Sequence, residues 1–202
     1  MWKWMLIMCV TCSANLSAEI KVLAFSGSTR EDSFNQKLVV EAAEMARQMG
    51  ANVTAVSLKD YAMPFYNEDL EKKEGLPAKA KELRKLMIQS QLIFIASPEY
   101  NGSVSGVLKN VIDWLSRNEN SGSSRDAFKG KKFVLMSASP GSTGGARGLA
   151  HLKAIIENIG GVVVPQPVLI PHATGAFDDK GHLKEPRLKN ELQQAIEAAI
   201  RN

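Results

Sequence analysis

Short apolar runs recur along the chain, separated by longer stretches whose apolar residues fall at helical spacing. Runs of this length, bounded by turn residues, are typical of buried strands. The last run is interrupted by two prolines, which break a strand ladder. The predicted strands are residues 20–25, 53–58, 91–96, 132–138 and a fifth in two pieces, 162–164 and 168–170.

Between the strands, apolar residues recur at i, i+3, i+4 and i+7, the spacing of one helix face. The first such stretch is closed by Gly50, a typical residue after a helix end. Pro77 is predicted to begin the next helix, and Gly160–Gly161 to end a later one. The predicted helix faces comprise Phe34 to Met49, Leu83 to Met87, Val104 to Leu115, Leu149 to Ile159 and Leu188 to Ala199.

Near-continuous apolar strands alternating with helices predict a parallel sheet covered on both faces. The usual five-stranded arrangement has the order 2-1-3-4-5 and opens a crevice at the carboxyl ends of strands one and three. No repeat or low-complexity linker suggests a second domain. The sequence therefore predicts one doubly wound α/β domain over residues 19–202.

Residues 1–18 form an apolar leader or N-terminal extension with a lysine near its start and a small-x-small triplet, residues 12–14. This pattern fits a short signal peptide, a start codon placed too early, or a simple extension. The leader is too short for a transmembrane helix. It contains no arginine, so it is not a twin-arginine leader. We expect a cytoplasmic protein, with export through a cleaved leader as the alternative.

The charge and the cysteine content of the chain restrict the classes of function that it can have. The formal charge is +4, but the positive residues are scattered and not interleaved with aromatics, which disfavours nucleic-acid binding. The only cysteines, Cys9 and Cys12, lie in the leader, so the domain has no thiol nucleophile and no Cys/His zinc cage. The three histidines are spread apart and are expected to be structural. We predict no metal site.

The loop after the first strand, SGSTREDSFN at residues 26–35, enters a predicted helix. Gly27 permits a tight turn, several hydroxyls can donate, and Arg30 adds a planar fork beside the helix N-terminus. This arrangement suits a terminal phosphate, although a polar helix cap is the alternative. The GxxxxGK[ST] and GxGxxG patterns of nucleotide-binding loops are absent here.

Two further loops follow the third and fourth strands. The stretch SPEYNGS (97–103) places an acid, a phenol and an amide between a strand and a helix, where a plain turn needs only Gly or Pro. Such a loop suits one edge of a flat heteroaromatic ring. The stretch SASPGSTGGARG (137–148) has three glycines that allow a ligand to approach the backbone. All three loops are expected to meet at the crevice.

Taken together, these motifs resemble the NADPH-dependent FMN reductase family, a flavodoxin-like group that includes quinone, azo-dye and chromate reductases. The resemblance rests on GSTR with SFN (27–35), PEYNGS (98–103) running into LKNVIDW (108–114), and SPG with GG (139–145). It extends over about residues 20–200 and includes MPFYNEDLE after the second strand. The leader departs from the family pattern.

The resemblance implies which residues hold FMN. The phosphate would be bound by the first loop, one edge of the isoalloxazine ring by the second loop with Tyr100 and Asn101 closest, and the other side by the third. The implied cofactor-binding residues are Ser28, Thr29, Arg30, Ser33, Asn35, Pro98, Glu99, Tyr100, Asn101, Gly102, Ser139, Pro140, Gly141, Gly144 and Gly145.

The implied function is an FMN-dependent oxidoreductase that takes electrons from NADPH or NADH and passes them to a quinone-like, azo, flavin or metal-oxyanion acceptor. The flavin carries the chemistry, so no catalytic side chain is expected. Arg147 or Arg125 could contact the 2′-phosphate of NADPH. The alternatives are a flavodoxin-type electron carrier and a non-enzymatic FMN-binding protein. Trp114, at the end of its helical stripe, and the resemblance together suggest a homodimer or homotetramer.

Overall fold

A parallel sheet forms the centre of the protein in the computed structural model, which describes residues 19–201. Its strand order is β2-β1-β3-β6-β7, and β8 also pairs with β6. This is the predicted order 2-1-3-4-5, with the fifth strand in two pieces. The strands are β1 (Lys21–Ser26), β2 (Asn52–Val56), β3 (Leu92–Ala96), β4 (Glu99–Tyr100), β5 (Ser103–Val104), β6 (Lys132–Ala138), β7 (Val162–Val163) and β8 (Val168–Ile170).

Helices cover both faces of the sheet. On one face, alternate strand residues such as Ala24, Phe94 and Met136 pack against the first and last helices. On the other, the intervening residues such as Phe25 and Ile95 pack against three middle helices. The helices are α1 (Phe34–Gln48), α2 (Glu68–Glu74), α3 (Ala78–Gln89), α4 (Gly106–Leu115), α5 (Ala146–Asn158) and α6 (Pro186–Arg201), with 3₁₀ turns at Leu58–Tyr61 and Ala173–Gly175.

The central strands β1, β3 and β6 are buried almost throughout because both faces are covered. This burial explains why they appear in the sequence as continuous apolar runs and not as alternating ones. The doubly wound α/β class predicted from the sequence is therefore confirmed. None of the helices within residues 19–201 is long and apolar enough to cross a membrane. The leader, residues 1–18, lies outside the described residues.

Besides the 3₁₀ turns, a short helix and a hairpin were not predicted. The short helix α2 is capped by Asn67, whose side chain accepts from the N–H groups of Asp69 and Leu70. It carries mostly charged residues and so shows no apolar stripe. The second is the β4–β5 hairpin, which interrupts the loop between β3 and α4. Because β3 and α4 flank it, this hairpin lies at the carboxyl edge of the sheet, beside the crevice.

Candidate active site

The first loop turns sharply where β1 ends. The Gly27 N–H donates to the Ala96 carbonyl at 2.8 Å, and a Cβ at Gly27 would lie 3.0 Å from a Leu108 methyl group. The Gly27 carbonyl accepts from the Ser105 hydroxyl at 2.5 Å. A larger residue at position 27 would therefore crowd Leu108 of α4, and Ser105 fixes the loop from the start of that helix.

The predicted phosphate-binding residues divide into an inner and an outer group. Ser28 is buried, and its hydroxyl accepts from the Arg30 N–H at 3.3 Å. Ser33 caps α1 by accepting from the Gln36 N–H at 3.3 Å. Thr29 and Arg30 are exposed. The serines thus shape the turn from within, while Thr29 and Arg30 project from it.

The N-terminus of α1 remains open to a ligand. Within residues 19–201, the N–H groups of Thr29, Phe34 and Asn35 have no hydrogen-bond partner, and the Arg30 guanidinium makes no ion pair. Unpaired N–H groups at a helix start carry the positive end of the helix dipole and bind anions. The N–H groups of Thr29, Phe34 and Asn35 together with Arg30 form a cradle for an anion. This cradle fits the phosphate monoester of FMN.

Asn35 differs from the other residues implied at the phosphate. Its side chain is buried, its amide nitrogen donates to the Ala138 carbonyl and its amide oxygen accepts from the Ala138 N–H, both at 2.9 Å. This pair of bonds joins the start of α1 to the end of β6. Asn35 thus braces the first and third loops against each other, a role that no local sequence pattern reveals.

The second loop is a two-residue hairpin. Tyr100 pairs with Ser103, and the intervening Asn101 and Gly102 both have positive φ, 52° and 75°. This is the conformation of a type I′ turn, for which Asn-Gly is the preferred pair. The sequence carried this signal, but the prediction treated the segment as an irregular loop. Pro98, directly before the hairpin, is buried, whereas Tyr100 is 49% exposed.

Glu99 faces away from the exposed side of the hairpin. Its carboxylate accepts from the Gly148 N–H at 2.9 Å and from the Arg147 guanidinium at 3.0 and 3.1 Å. The hydrogen bond from Gly148 is the main cause that holds the pKa of Glu99 below its ordinary value. Arg147, one of the two arginines considered for the 2′-phosphate, is therefore paired with Glu99 in this structure.

The third loop is held down by the last strand. The Ser139 N–H donates to the Ile170 carbonyl at 3.1 Å, and Pro140 and Gly141 lie exposed beyond it. Gly144 and Gly145 have φ of 61° and 88°. A Cβ on Gly145 would lie 2.0 Å from the Ser137 hydroxyl oxygen. These two glycines are buried, and the packing of the loop on the sheet explains why glycine stands at both positions.

Sequence reasoning missed Ser105, and it named Trp114 and His151 without predicting their contacts. Ser105 caps α4 through the Leu108 N–H, and a serine directly before a helical stripe is a recognisable cap signal. His151 contacts the Ser103 hydroxyl at 3.1 Å through Nδ1. The Trp114 indole donates to the Pro64 carbonyl at 2.8 Å. Trp114 and His151 gave no such signal because their partners are distant in sequence.

The doubly wound sheet and the three loops define a flavodoxin-like α/β protein with an anion cradle at the end of β1. The chain belongs to the NADPH-dependent FMN reductase family, whose model matches residues 20–175. An NAD(P)H-dependent FMN reductase of Pseudomonas aeruginosa is 33% identical over 184 residues, which cover 91% of this chain and 95% of the relative.

Other similar proteins are also reductases or oxidoreductases. A quinone reductase of Escherichia coli is 33% identical over 153 residues, covering 75% of this chain and 77% of the relative. The solved flavoenzyme NAD(P)H:(acceptor) oxidoreductase of Paracoccus denitrificans is 28% identical, with a TM-score of 0.74 over 90% of this chain and 95% of its own. The predicted family, the FMN and NAD(P)H dependence and the oxidoreductase activity are confirmed. The assignment of individual residues to FMN stays a prediction.

Replacing Arg30 tests that assignment. Arg30→Ala is expected to weaken FMN binding by about 1.5–3 kcal/mol, the usual worth of a hydrogen bond to a charged group. This corresponds to a rise in Kd of roughly 10- to 150-fold. The measurement is titration of the apoprotein with FMN, followed by quenching of flavin fluorescence. Arg125→Ala is the matched control, since Arg125 is an exposed arginine in the segment after α4. Equal Kd values for Arg30→Ala and the wild type would contradict the assignment.

Proposed function

We propose that this protein transfers reducing equivalents from NAD(P)H through bound FMN to a quinone-type acceptor. The observation that carries the proposal is the open N-terminus of α1 beside the β4–β5 hairpin, because it provides a phosphate cradle next to a surface for a flat ring. When bound, FMN supplies the redox chemistry by taking a hydride from the nicotinamide and passing electrons on. The quinone acceptor is supported by the names of relatives in Escherichia coli and rice.

The residues of this chain bind and orient the cofactor. Arg30, Thr29 and the first N–H groups of α1 would hold the phosphate. Asn101 and Gly102 form the turn of the hairpin, whose peptide groups would bind one edge of the ring, with Tyr100 beside it. Ser139 to Gly141 would lie on the opposite side of the ring. No side chain needs to exchange a proton with the substrate. Arg147 forms an ion pair with Glu99.

The enzyme is distinguished from an electron carrier or a silent FMN-binding protein by turnover. The purified protein should be yellow and release FMN, not FAD, on denaturation. With NADPH and a simple benzoquinone it should give parallel double-reciprocal plots, because the two substrates use the same flavin face in turn. A carrier would be reduced slowly by NADPH and show no steady-state quinone reduction. A colourless protein that does not bind added FMN would contradict the proposal altogether.

We further propose that the protein is a homodimer or homotetramer. Trp114 does not contribute to an interface, since its side chain is fully buried. Phe65 supports the proposal instead: its ring is 83% exposed although the flanking backbone is fixed. The Pro64 carbonyl accepts from Trp114 and Asn110, and the Tyr66 N–H donates to Asn110 at 2.7 Å. A solvent-exposed phenylalanine on a fixed backbone is typical of a residue that becomes buried in a protein–protein interface.

Light scattering coupled to gel filtration tests the oligomer. We expect a mass at least twice that of the chain for the wild type, and a shift towards the monomer for Phe65→Asp. Val40→Asp is the control, because Val40 is a partly exposed apolar residue on α1. A wild-type protein that remains a monomer at working concentration would refute the proposal.

We also propose a cytoplasmic location, with residues 1–18 as an extension that precedes the domain. The NADPH supply that turnover requires is cytosolic, and the leader contains no twin arginine. Intact-mass analysis of the protein from its own host tests this location. A mature chain that begins at Asn15 or Glu19 and is recovered outside the cytosol would show export instead.

A further inference from the structure

Two long helices begin at the crevice, and their N-termini differ. The α1 N-terminus presents free N–H groups and Arg30 to solvent. The α5 N-terminus has glycine at its cap position, Gly145, and so receives no capping hydrogen bond from its own cap side chain. Glu99 from the β4–β5 hairpin supplies the missing acceptor by binding the Gly148 N–H at 2.9 Å. The N-terminus of α1 is open to an anion, whereas the N-terminus of α5 already binds the Glu99 carboxylate.

The Glu99 carboxylate is held on both of its oxygens. Oε2 accepts from Gly148, and Oε1 accepts from two nitrogens of the Arg147 guanidinium. The Glu99 side chain is only 9% exposed, whereas the Arg147 side chain is 72% exposed. The buried carboxylate is therefore the fixed part of the pair, and the arginine covers it from the solvent side.

A second contact joins the other strand of the hairpin to α5. Ser103 on β5 is bonded to His151, one turn beyond Arg147. Between these two contacts the backbones approach closely: a Cβ on Gly148 would lie 3.2 Å from the Ser103 carbonyl oxygen. The hairpin and the first two turns of α5 thus form one packed unit, fixed by polar contacts on both strands.

We propose that Glu99 is a positioning residue that acts as an internal anion. It closes the α5 N-terminus to phosphate, so the cofactor phosphate is directed to α1. It also holds the β4–β5 hairpin against the third loop. This hairpin would lie along one edge of the flavin ring. The inference rests on the proposed function, because it assumes that FMN binds between these loops. In this arrangement the Glu99 carboxylate contacts neither the phosphate nor the ring, because Arg147 and Gly148 occupy both of its oxygens.

The test compares Glu99→Ala and Glu99→Gln with the wild type. Glu99→Ala is expected to raise the Kd for FMN by roughly tenfold, because the hairpin loses the carboxylate that holds it against the third loop, and to change the visible circular dichroism of bound FMN. Glu99→Gln keeps an acceptor of the same size, so its values should be intermediate. Glu157→Ala is the control, since Glu157 forms an exposed ion pair with Lys153 on the same helix and should leave both readouts unchanged.

Inorganic phosphate provides a second readout on the apoprotein. If Glu99 is an internal anion, its removal exposes an anion site at α5, and phosphate should raise the melting temperature of Glu99→Ala more than that of the wild type. Arg147→Ala, which leaves the bond from Gly148 intact, should show a smaller change. It is used together with Glu99→Gln if Glu99→Ala does not fold.

The proposal is overturned if Glu99→Ala and Glu99→Gln bind FMN with the wild-type Kd and dichroism, even when their melting temperatures fall, because Glu99 would then be merely structural. It is also overturned if phosphate stabilises the variant and wild-type apoproteins equally. Failure of the proposed function is distinguishable, since the wild type itself would then fail to bind FMN or to reduce the quinone.

Discussion

The site depends on three neighbouring strands in fixed register, of which β1 and β3 end at paired residues and β6 continues two residues further. Ser26 of β1 pairs in register with Ala96 of β3, and Ala96 pairs with Met136 of β6. The ladder continues one step into the loops, where the Gly27 and Ser97 N–H groups each donate at 2.8 Å to the neighbouring strand. A slip of one residue would turn the buried strand faces over and displace every loop. The register therefore brings the phosphate cradle and the hairpin to one edge.

Polar contacts then fix the loops relative to one another. Asn35 joins the first loop to the end of β6, Ser105 joins the first loop to α4, and Glu99 joins the hairpin to α5. Each contact is buried or largely buried, so its loss would leave a polar group without water. The side chains of Asn35, Ser105 and Glu99 thus hold the loops in place, within the same short motifs that are proposed to bind the flavin.

The strands and long helices could be predicted because burial imposes its period on the sequence. The prolines 165 and 167 correctly marked the interrupted fifth strand. The hairpin was missed although Asn101-Gly102 is a recognised turn pair, because the flanking strands have only two residues each. The direction of Glu99 could not be predicted, since it depends on where α5 begins. For Asn35 the partner lies 103 residues away, and only the folded structure brings the two together.

The proposed position of the FMN phosphate at the N-terminus of α1 implies that the phosphate supplies much of the free energy of cofactor binding. The direct measurement compares the affinity of the wild-type apoprotein for FMN and for riboflavin, which has the same ring and lacks the phosphate. FMN is expected to bind at least about a hundredfold more tightly than riboflavin, as two hydrogen bonds to a charged group require. Added inorganic phosphate is expected to weaken FMN binding. Equal affinities for FMN and riboflavin would contradict the proposed position of the phosphate.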